Sequence, residues 1–146
     1  MRVLAASLGD CVHVAGVTRF LRVAEEQGHE TYFTGPATDP EGLIDAAVRF
    51  NPAVIGVSYR LTPENVRPLL VELRGMLEAA GLSDRRLAFA GAPPVVAVAR
   101  EFDDLFEAYF VGGESAAEVK RYLERGGEVE AGPAAFPHRP AGPIPW

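Results

Sequence analysis

Between residues 8 and 16 the chain reads Leu8-Gly9-Asp10-Cys11-Val12-His13-Val14-Ala15-Gly16. A short apolar run, Val3-Leu4-Ala5-Ala6, comes before it, and an amphipathic run begins at Val17 after it. Strand, glycine-bounded loop and helix are the natural reading of that order. His13 then stands just beyond the carboxyl end of the first strand, the edge at which open α/β sheets bind ligands. The other two histidines are placed differently. His29 falls between the first helix and the second strand, at the opposite edge, and His138 lies in a proline-rich segment. One imidazole is therefore positioned to meet a ligand.

Outward from this loop, strand and helix patterns alternate. Val17, Phe20, Leu21 and Ala24 share one helical face, and Gly28 closes that helix. Thr31-Tyr32-Phe33-Thr34 is rich in β-formers and reads as a second strand. Asp39-Pro40 predicts an N-cap with proline at the first helical position, and Leu43, Ile44, Ala47 and Val48 carry that helix to Asn51-Pro52. Ala53-Val54-Ile55-Gly56-Val57-Ser58 is apolar on both faces, as a central strand of a parallel sheet is. Thr62-Pro63 opens the next helix, with Val66, Leu69, Leu70, Leu73 and Leu77 inside and Gly81 after it. Pro68 interrupts the pattern and predicts a kink or a late start to the regular helix. Leu87-Ala88-Phe89-Ala90 is the fourth strand and a short helix follows near Val95 to Phe102. Ala108-Tyr109-Phe110-Val111 is the fifth strand, and Ser115 to Leu123 the last helix.

Five strands alternating with five helices make an α/β domain over residues 1–127, a doubly wound parallel sheet. Right-handed crossovers select the flavodoxin-like order 2-1-3-4-5. Residues 128–146 hold five of the 12 prolines and show no period, so they read as an extended tail or linker. A chain of 146 residues, 48% hydrophobic and 23% charged, fits one globular domain with a sizeable core. A net charge of −6 gives no electrostatic footprint for nucleic acid. No apolar run approaches the roughly 18 residues of a membrane span. Met1-Arg2-Val3-Leu4 enters a strand directly, without the long apolar segment of a signal peptide, and the single cysteine allows no disulfide framework. A cytoplasmic protein is expected.

The switch point of that strand order lies between strands 1 and 3. One loop there carries Gly9 to Gly16 with His13, and the other is Ser58-Tyr59-Arg60-Leu61-Thr62. Strand 4 neighbours strand 3, which puts Gly91-Ala92-Pro93 at the same cleft. Gly9, Ala15, Gly16, Ser58, Gly91 and Ala92 are all small, leaving a slot in which a ligand can approach the backbone closely. Ser58 and Thr62 supply hydroxyls. Gly112-Gly113 forms a further turn on this edge.

These residues resemble the cobalamin (vitamin B12)-binding domain family of corrinoid-dependent mutases and methyltransferases. The family pattern is Asp-x-His-x-x-Gly after strand 1, Ser-x-Leu or Ser-x-x-x-Thr after strand 3, and Gly-Gly after strand 4. Here His13-Val14-Ala15-Gly16 matches the first motif, Ser58 and Thr62 the second, and Ala90-Gly91-Ala92 is a one-glycine version of the third. The resemblance runs from residue 1 to about 126. It implies that His13 displaces the cofactor's own benzimidazole and coordinates cobalt from below, a role that suits neutral imidazole. The nucleotide tail would then occupy the slot made by Gly16, Ser58, Leu61, Thr62, Gly91 and Ala92, with Gly9, Asp10, Val12, Ala15, Pro93, Gly112 and Gly113 around it. Arg60 reads either as a solvated loop residue or as a contact to a propionamide, a phosphate or an acidic group of a partner. The upper face of cobalt would point away, so that a barrel-type catalytic subunit or domain supplies the chemistry. Homo-oligomerisation stays open.

One departure stands out. Where the family places Asp, two residues before the histidine, this chain has Cys11, and the acid is Asp10. Either Asp10 reaches His13 through a shifted loop, or a backbone carbonyl or water replaces it. Cys11 itself reads as small loop filler. A phosphatase loop is excluded, because Cys-x5-Arg needs arginine at position 17, which is Val17. Flavodoxin needs hydroxyls between Gly9 and Gly16, a receiver domain needs Asp where Ser58 stands, and the Gly9 to Gly16 spacing is wrong for a dinucleotide loop. Among cobalamin proteins the small subunit of an adenosylcobalamin-dependent mutase fits best, since strand 1 starts at residue 3 without a preceding helical bundle; adenosylcobalamin is preferred over methylcobalamin on that ground. The alternatives are a corrinoid methyl-transfer protein and a non-catalytic carrier or sensor.

Overall fold

In the computed structural model, residues 1–131 apart from Val12 are described. Five parallel strands, β1 (Arg2–Ser7), β2 (Glu30–Phe33), β3 (Val54–Ser58), β4 (Arg86–Ala90) and β5 (Ala108–Phe110), form one sheet in the order β2-β1-β3-β4-β5. This is the flavodoxin-like order expected from the sequence. Helices α1 (Ala15–Glu26) and α5 (Ala116–Ala131) pack on one face through Val17, Leu21, Val119 and Leu123. Helices α2 (Pro40–Phe50), α3 (Pro63–Ala79) and α4 (Pro93–Ala99) cover the other through Leu43, Leu70, Leu73 and Val95. Each such side chain stabilises the fold by about 1.5–3 kcal/mol. The carboxyl ends of the strands lie level, with Ser7 beside Ser58, Ser58 beside Ala90, and Ala90 beside Phe110.

Local chemistry sets the helix ends. The Asp39 carboxylate accepts from Gly42 N at 2.7 Å, ahead of Pro40 in the first turn of α2. The Thr62 hydroxyl accepts from Asn65 N at 3.3 Å, so α3 starts at Pro63. The late start expected from Pro68 does not occur. Pro68 is exposed within the helix, and the Thr62 cap fixes the first turn before it. Helix α4 begins at Pro93, two residues before the expected position, and a 3-10 turn (Arg100–Phe102) completes it.

Helix α5 ends at Ala131, past the expected end at Leu123. Glycine inside a helix costs about 1 kcal/mol against alanine, so Gly126-Gly127 weakens α5 without stopping it. The helix thus takes in residues 128–131 of the segment read as a tail, whereas 132–146, with His138, lie outside the described residues. His29 is buried at the far edge, with its Nδ1 3.2 Å from the Met1 amino group.

Candidate functional site

The loop after β1 is tied down by backbone hydrogen bonds. Leu8 N donates to Ser58 O at 2.8 Å and Gly9 N donates to Thr38 O at 2.7 Å. Ala37 N donates to Cys11 O at 2.8 Å, and Cys11 N to Leu8 O at 3.1 Å. Gly9 has φ +66°, and a Cβ there would sit 2.6 Å from Leu69 Cδ1, so this glycine serves the packing of the loop against α3. The Ser7 hydroxyl donates to His13 O at 3.0 Å. From this anchored backbone the His13 side chain is exposed, while Cys11 is wholly buried.

The described side-chain contact of the His13 ring is with Cys11, which the sequence offered only as loop filler. Its Sγ lies 3.6 Å from His13 Nδ1. The Asp10 side chain is exposed, and among the described residues it accepts no hydrogen bond from His13. Asp10 acts instead on Tyr59, whose phenol is raised above its ordinary pKa chiefly by burial and further by the Asp10 charge.

Beside this loop, between α1 and α5, a half-open cleft lies over the carboxyl half of the sheet. Its floor is a patch of small residues. Ala5, Gly56 and Ala88 stand side by side in adjacent strands, with Ser58 and Ala90 two positions further along. Residues two apart on a strand share a face, so all five lie on the α1/α5 side. Phe20, Val17, Phe110 and Val119 form apolar walls, and Gly16, Arg19, Arg60, Gly112 and Glu114 stand around them. The Phe20 ring lies close over Gly56, where a Cβ would be 3.2 Å from it. A Cβ on Gly16 would meet nothing within 4 Å, so that glycine faces open space.

Of the residues singled out in the sequence, Gly16, Ser58, Arg60 and Gly112 line this cleft, and His13 stands on the loop leading into α1. The others lie near it without lining it. Thr62 caps α3, Leu61 is exposed beside it, and Ala15 is exposed in the first turn of α1. Gly91 turns toward α4, where Ala92 is the N-cap and Pro93 the first residue. Gly113 is left-handed at φ +83°, in the turn whose Val111 and Gly112 N–H groups donate to the Glu114 carboxylate at 2.8 and 2.9 Å. Val12 lies outside the described residues. The floor residues Ala5, Gly56 and Ala88 were missed; their signal was the recurrence of small residues two apart in strands 3 and 4. Arg19 was missed as well, and its guanidinium donates to Glu114 O across the mouth.

The B12 binding domain model matches residues 1–120. The chain belongs to this family. Cobalamin is the ligand that this family assignment gives the domain. Solved structures share the fold. A cobalamin-binding protein from Desulfitobacterium hafniense DCB-2 superposes with a TM-score of 0.71 at 22% identity, over 86% of this chain and 58% of that one. The methanol:cobalamin methyltransferase complex of Methanosarcina barkeri gives 0.69 at 18% identity, over 85% and 45%. The chain thus spans about half the length of these two. A Francisella response regulator receiver domain gives 0.60 at 17% identity over 88% and 97%, a likeness of fold alone. No curated protein sequence matches. Among the described residues of this B12-binding domain, no group of three His, Cys, Asp or Glu side chains could hold a metal ion, and no helix is long and apolar enough to cross a membrane.

Proposed function

We propose that this chain holds cobalamin with the cofactor's own base displaced, with His13 as the lower ligand of cobalt, and presents it to a catalytic partner. The single observation that carries this reading is the pairing of an exposed imidazole with an apolar cleft floored by small residues on the same sheet edge. The residues present fit the group. A flat aromatic base needs a shallow, apolar slot, and side chains larger than alanine or serine at the floor would close it. Among the described residues no three His, Cys, Asp or Glu side chains group to hold a metal, so a metal delivered here would bring most of its own ligands, as a corrin ring does. Bound cobalamin supplies the cobalt–carbon chemistry, and the protein supplies binding and orientation.

Within the reading, His13 would hold cobalt through Nε2, and Gly16, Ser58 and the floor residues would receive the nucleotide tail. Arg60 stands beside Gly112 at the rim, where its guanidinium can meet an amide or phosphate oxygen. Asp10, Ala15, Leu61, Thr62, Gly91, Ala92, Pro93 and Gly113 form the surrounding edge. The upper face is left for a barrel-type partner. Likeness to the methanol:cobalamin methyltransferase complex supports a methyl-transfer partner; the resemblance in sequence covers mutases and methyltransferases alike, and the small subunit of an adenosylcobalamin-dependent mutase is the other reading. Loading the partnered chain with each cofactor form separates the two, since turnover would follow the methyl or the adenosyl form. A cytoplasmic setting goes with either.

The test is the visible spectrum of the purified chain after incubation with hydroxocobalamin and desalting, beside His13→Ala. Retained colour with a histidine-ligated spectrum, lost or shifted in the variant, is the expected result. Equal spectra from both chains would remove His13 from the cobalt, and colour lost from both would remove the isolated chain as a tight binder.

A further inference from the structure

We infer that the buried Cys11 thiol accepts a hydrogen bond from His13 Nδ1–H and so positions the imidazole with its Nε2 lone pair outward; this rests on the reading of His13 as the cobalt ligand. Cys11 Sγ stands 3.6 Å from Nδ1, within reach of a sulfur hydrogen bond. The sulfur has no solvent exposure, whereas the His13 side chain is exposed. The ring therefore meets the protein through Nδ1 and leaves its other nitrogen for whatever arrives from outside. Both residues are held from behind. Cys11 is fixed through its own N–H and its carbonyl, by Leu8 and Ala37 at 3.1 and 2.8 Å, and the His13 carbonyl by the Ser7 hydroxyl at 3.0 Å. With the main chain pinned on either side of position 12, the thiol is kept within reach of the ring.

The direction of the hydrogen bond decides what the histidine can do. A thiol can donate weakly or accept weakly, and a neutral imidazole carries its proton on one nitrogen or the other. If Cys11 donated, the proton of His13 would sit on Nε2 and no lone pair would face outward. Acceptance by sulfur puts the proton on Nδ1 and keeps Nε2 open to a metal, the arrangement in which a partner group fixes both tautomer and ring angle. A neutral thiol pulls less strongly on that proton than an ionised carboxylate does. The imidazole is thus held in place while staying a moderate donor to the metal. Cys11 is a positioning residue in this account.

Two experiments test it. The first uses the full chain without cobalamin and reads the His13 tautomer from side-chain nitrogen shifts at about pH 8, where a free imidazole is neutral. Wild type should show the Nδ1–H form, Cys11→Ala should revert to the Nε2–H form favoured by unconstrained histidine, and Cys11→Ser should keep part of the wild-type signature. An Nε2–H form in wild type, or no change in Cys11→Ala, overturns the inference. The second measures hydroxocobalamin affinity in Cys11→Ala, His13→Ala and the double variant. Loss of an orienting partner typically weakens binding about 10–100-fold, and that loss should vanish in the His13→Ala background. Equal losses in both backgrounds would reduce Cys11 to a packing residue. Cys11→Val replaces Cys11→Ala if the smaller side chain fails to fold. The tautomer needs no cofactor, so failure of the cobalt reading, seen as a spectrum indifferent to His13→Ala, stays distinct from failure of this one.

Discussion

Replacing Gly91 by alanine should damage the domain at the point where three strand ends meet. Gly91 N donates to Phe110 O at 3.0 Å, and the preceding Ala90 O accepts from Tyr59 N at 2.9 Å, so the backbone is fixed to both neighbouring strands. A Cβ on Gly91 would stand 2.4 Å from Tyr59 O, 3.1 Å from Phe89 Cε2 and 3.4 Å from Val95 Cγ1. The first of these is a backbone atom and cannot rotate away. Tyr59 is fully buried, so the strand end has to move with its side chain already packed. Opening the contact to 3.0 Å takes a shift of roughly 0.6 Å, an overpacking strain that costs about 1–3 kcal/mol. Far-UV circular dichroism in guanidinium should show a lower midpoint with an unchanged slope. Gly75→Ala is the control. That glycine is exposed inside α3 with nothing within 4 Å of its Cβ, and helix propensity alone should raise stability by about 0.5–1 kcal/mol. A Gly91→Ala chain as stable as wild type would refute the reasoning, because the strand ends would then part without cost.

Other outcomes follow from the same geometry. Gly16→Ala should leave the fold intact, since its Cβ meets nothing, yet weaken cobalamin about 10–100-fold if the cleft takes the nucleotide tail; equilibrium dialysis against hydroxocobalamin checks this. Arg86 is 8% exposed, pairs with the Glu107 carboxylate through two nitrogens and lies 4.8 Å from the centre of the Tyr122 ring. Arg86→Ala should lose about 1–3 kcal/mol, less than a fully buried pair because Glu107 keeps some exposure, and Arg86→Lys should recover only part of it. Tyr59 holds its proton to higher pH in the folded chain than the ordinary 10.0, so stability present below that value should be lost as pH rises through the raised value. Denaturation midpoints between pH 9 and 11 should therefore fall less steeply in Tyr59→Phe, and equal slopes would contradict it.

Much of this was written in local residue chemistry. Asp39-Pro40 and Thr62-Pro63 name their helix starts because a side-chain oxygen and a proline satisfy the same first turn, and both caps form. The apolar run from Val54 to Ser58 placed β3 at the centre, and the rest of the order followed from handedness. That same run concealed the cleft floor. A strand apolar on both faces has no period, so nothing in it says that Gly56 and Ser58 turn toward α1 and α5 while Ile55 and Val57 turn away. Thr62 shows the converse problem, for a hydroxyl that caps a helix and one that meets a ligand look alike in sequence. The approach of Cys11 to His13 depends on loop hydrogen bonds to Thr38 and from Ala37, residues some 25 positions away.

If His13 holds the cobalt, the lower ligand is a nitrogen of this protein. The chain labelled with nitrogen-15 at histidine, loaded with unlabelled cobalamin and reduced to the Co(II) state, puts that claim to electron paramagnetic resonance directly. Coupling to the axial nitrogen should change from triplet to doublet on labelling, and the effect should disappear in His13→Ala. A triplet that survives labelling would mean that the cofactor keeps its own base, and would contradict the account.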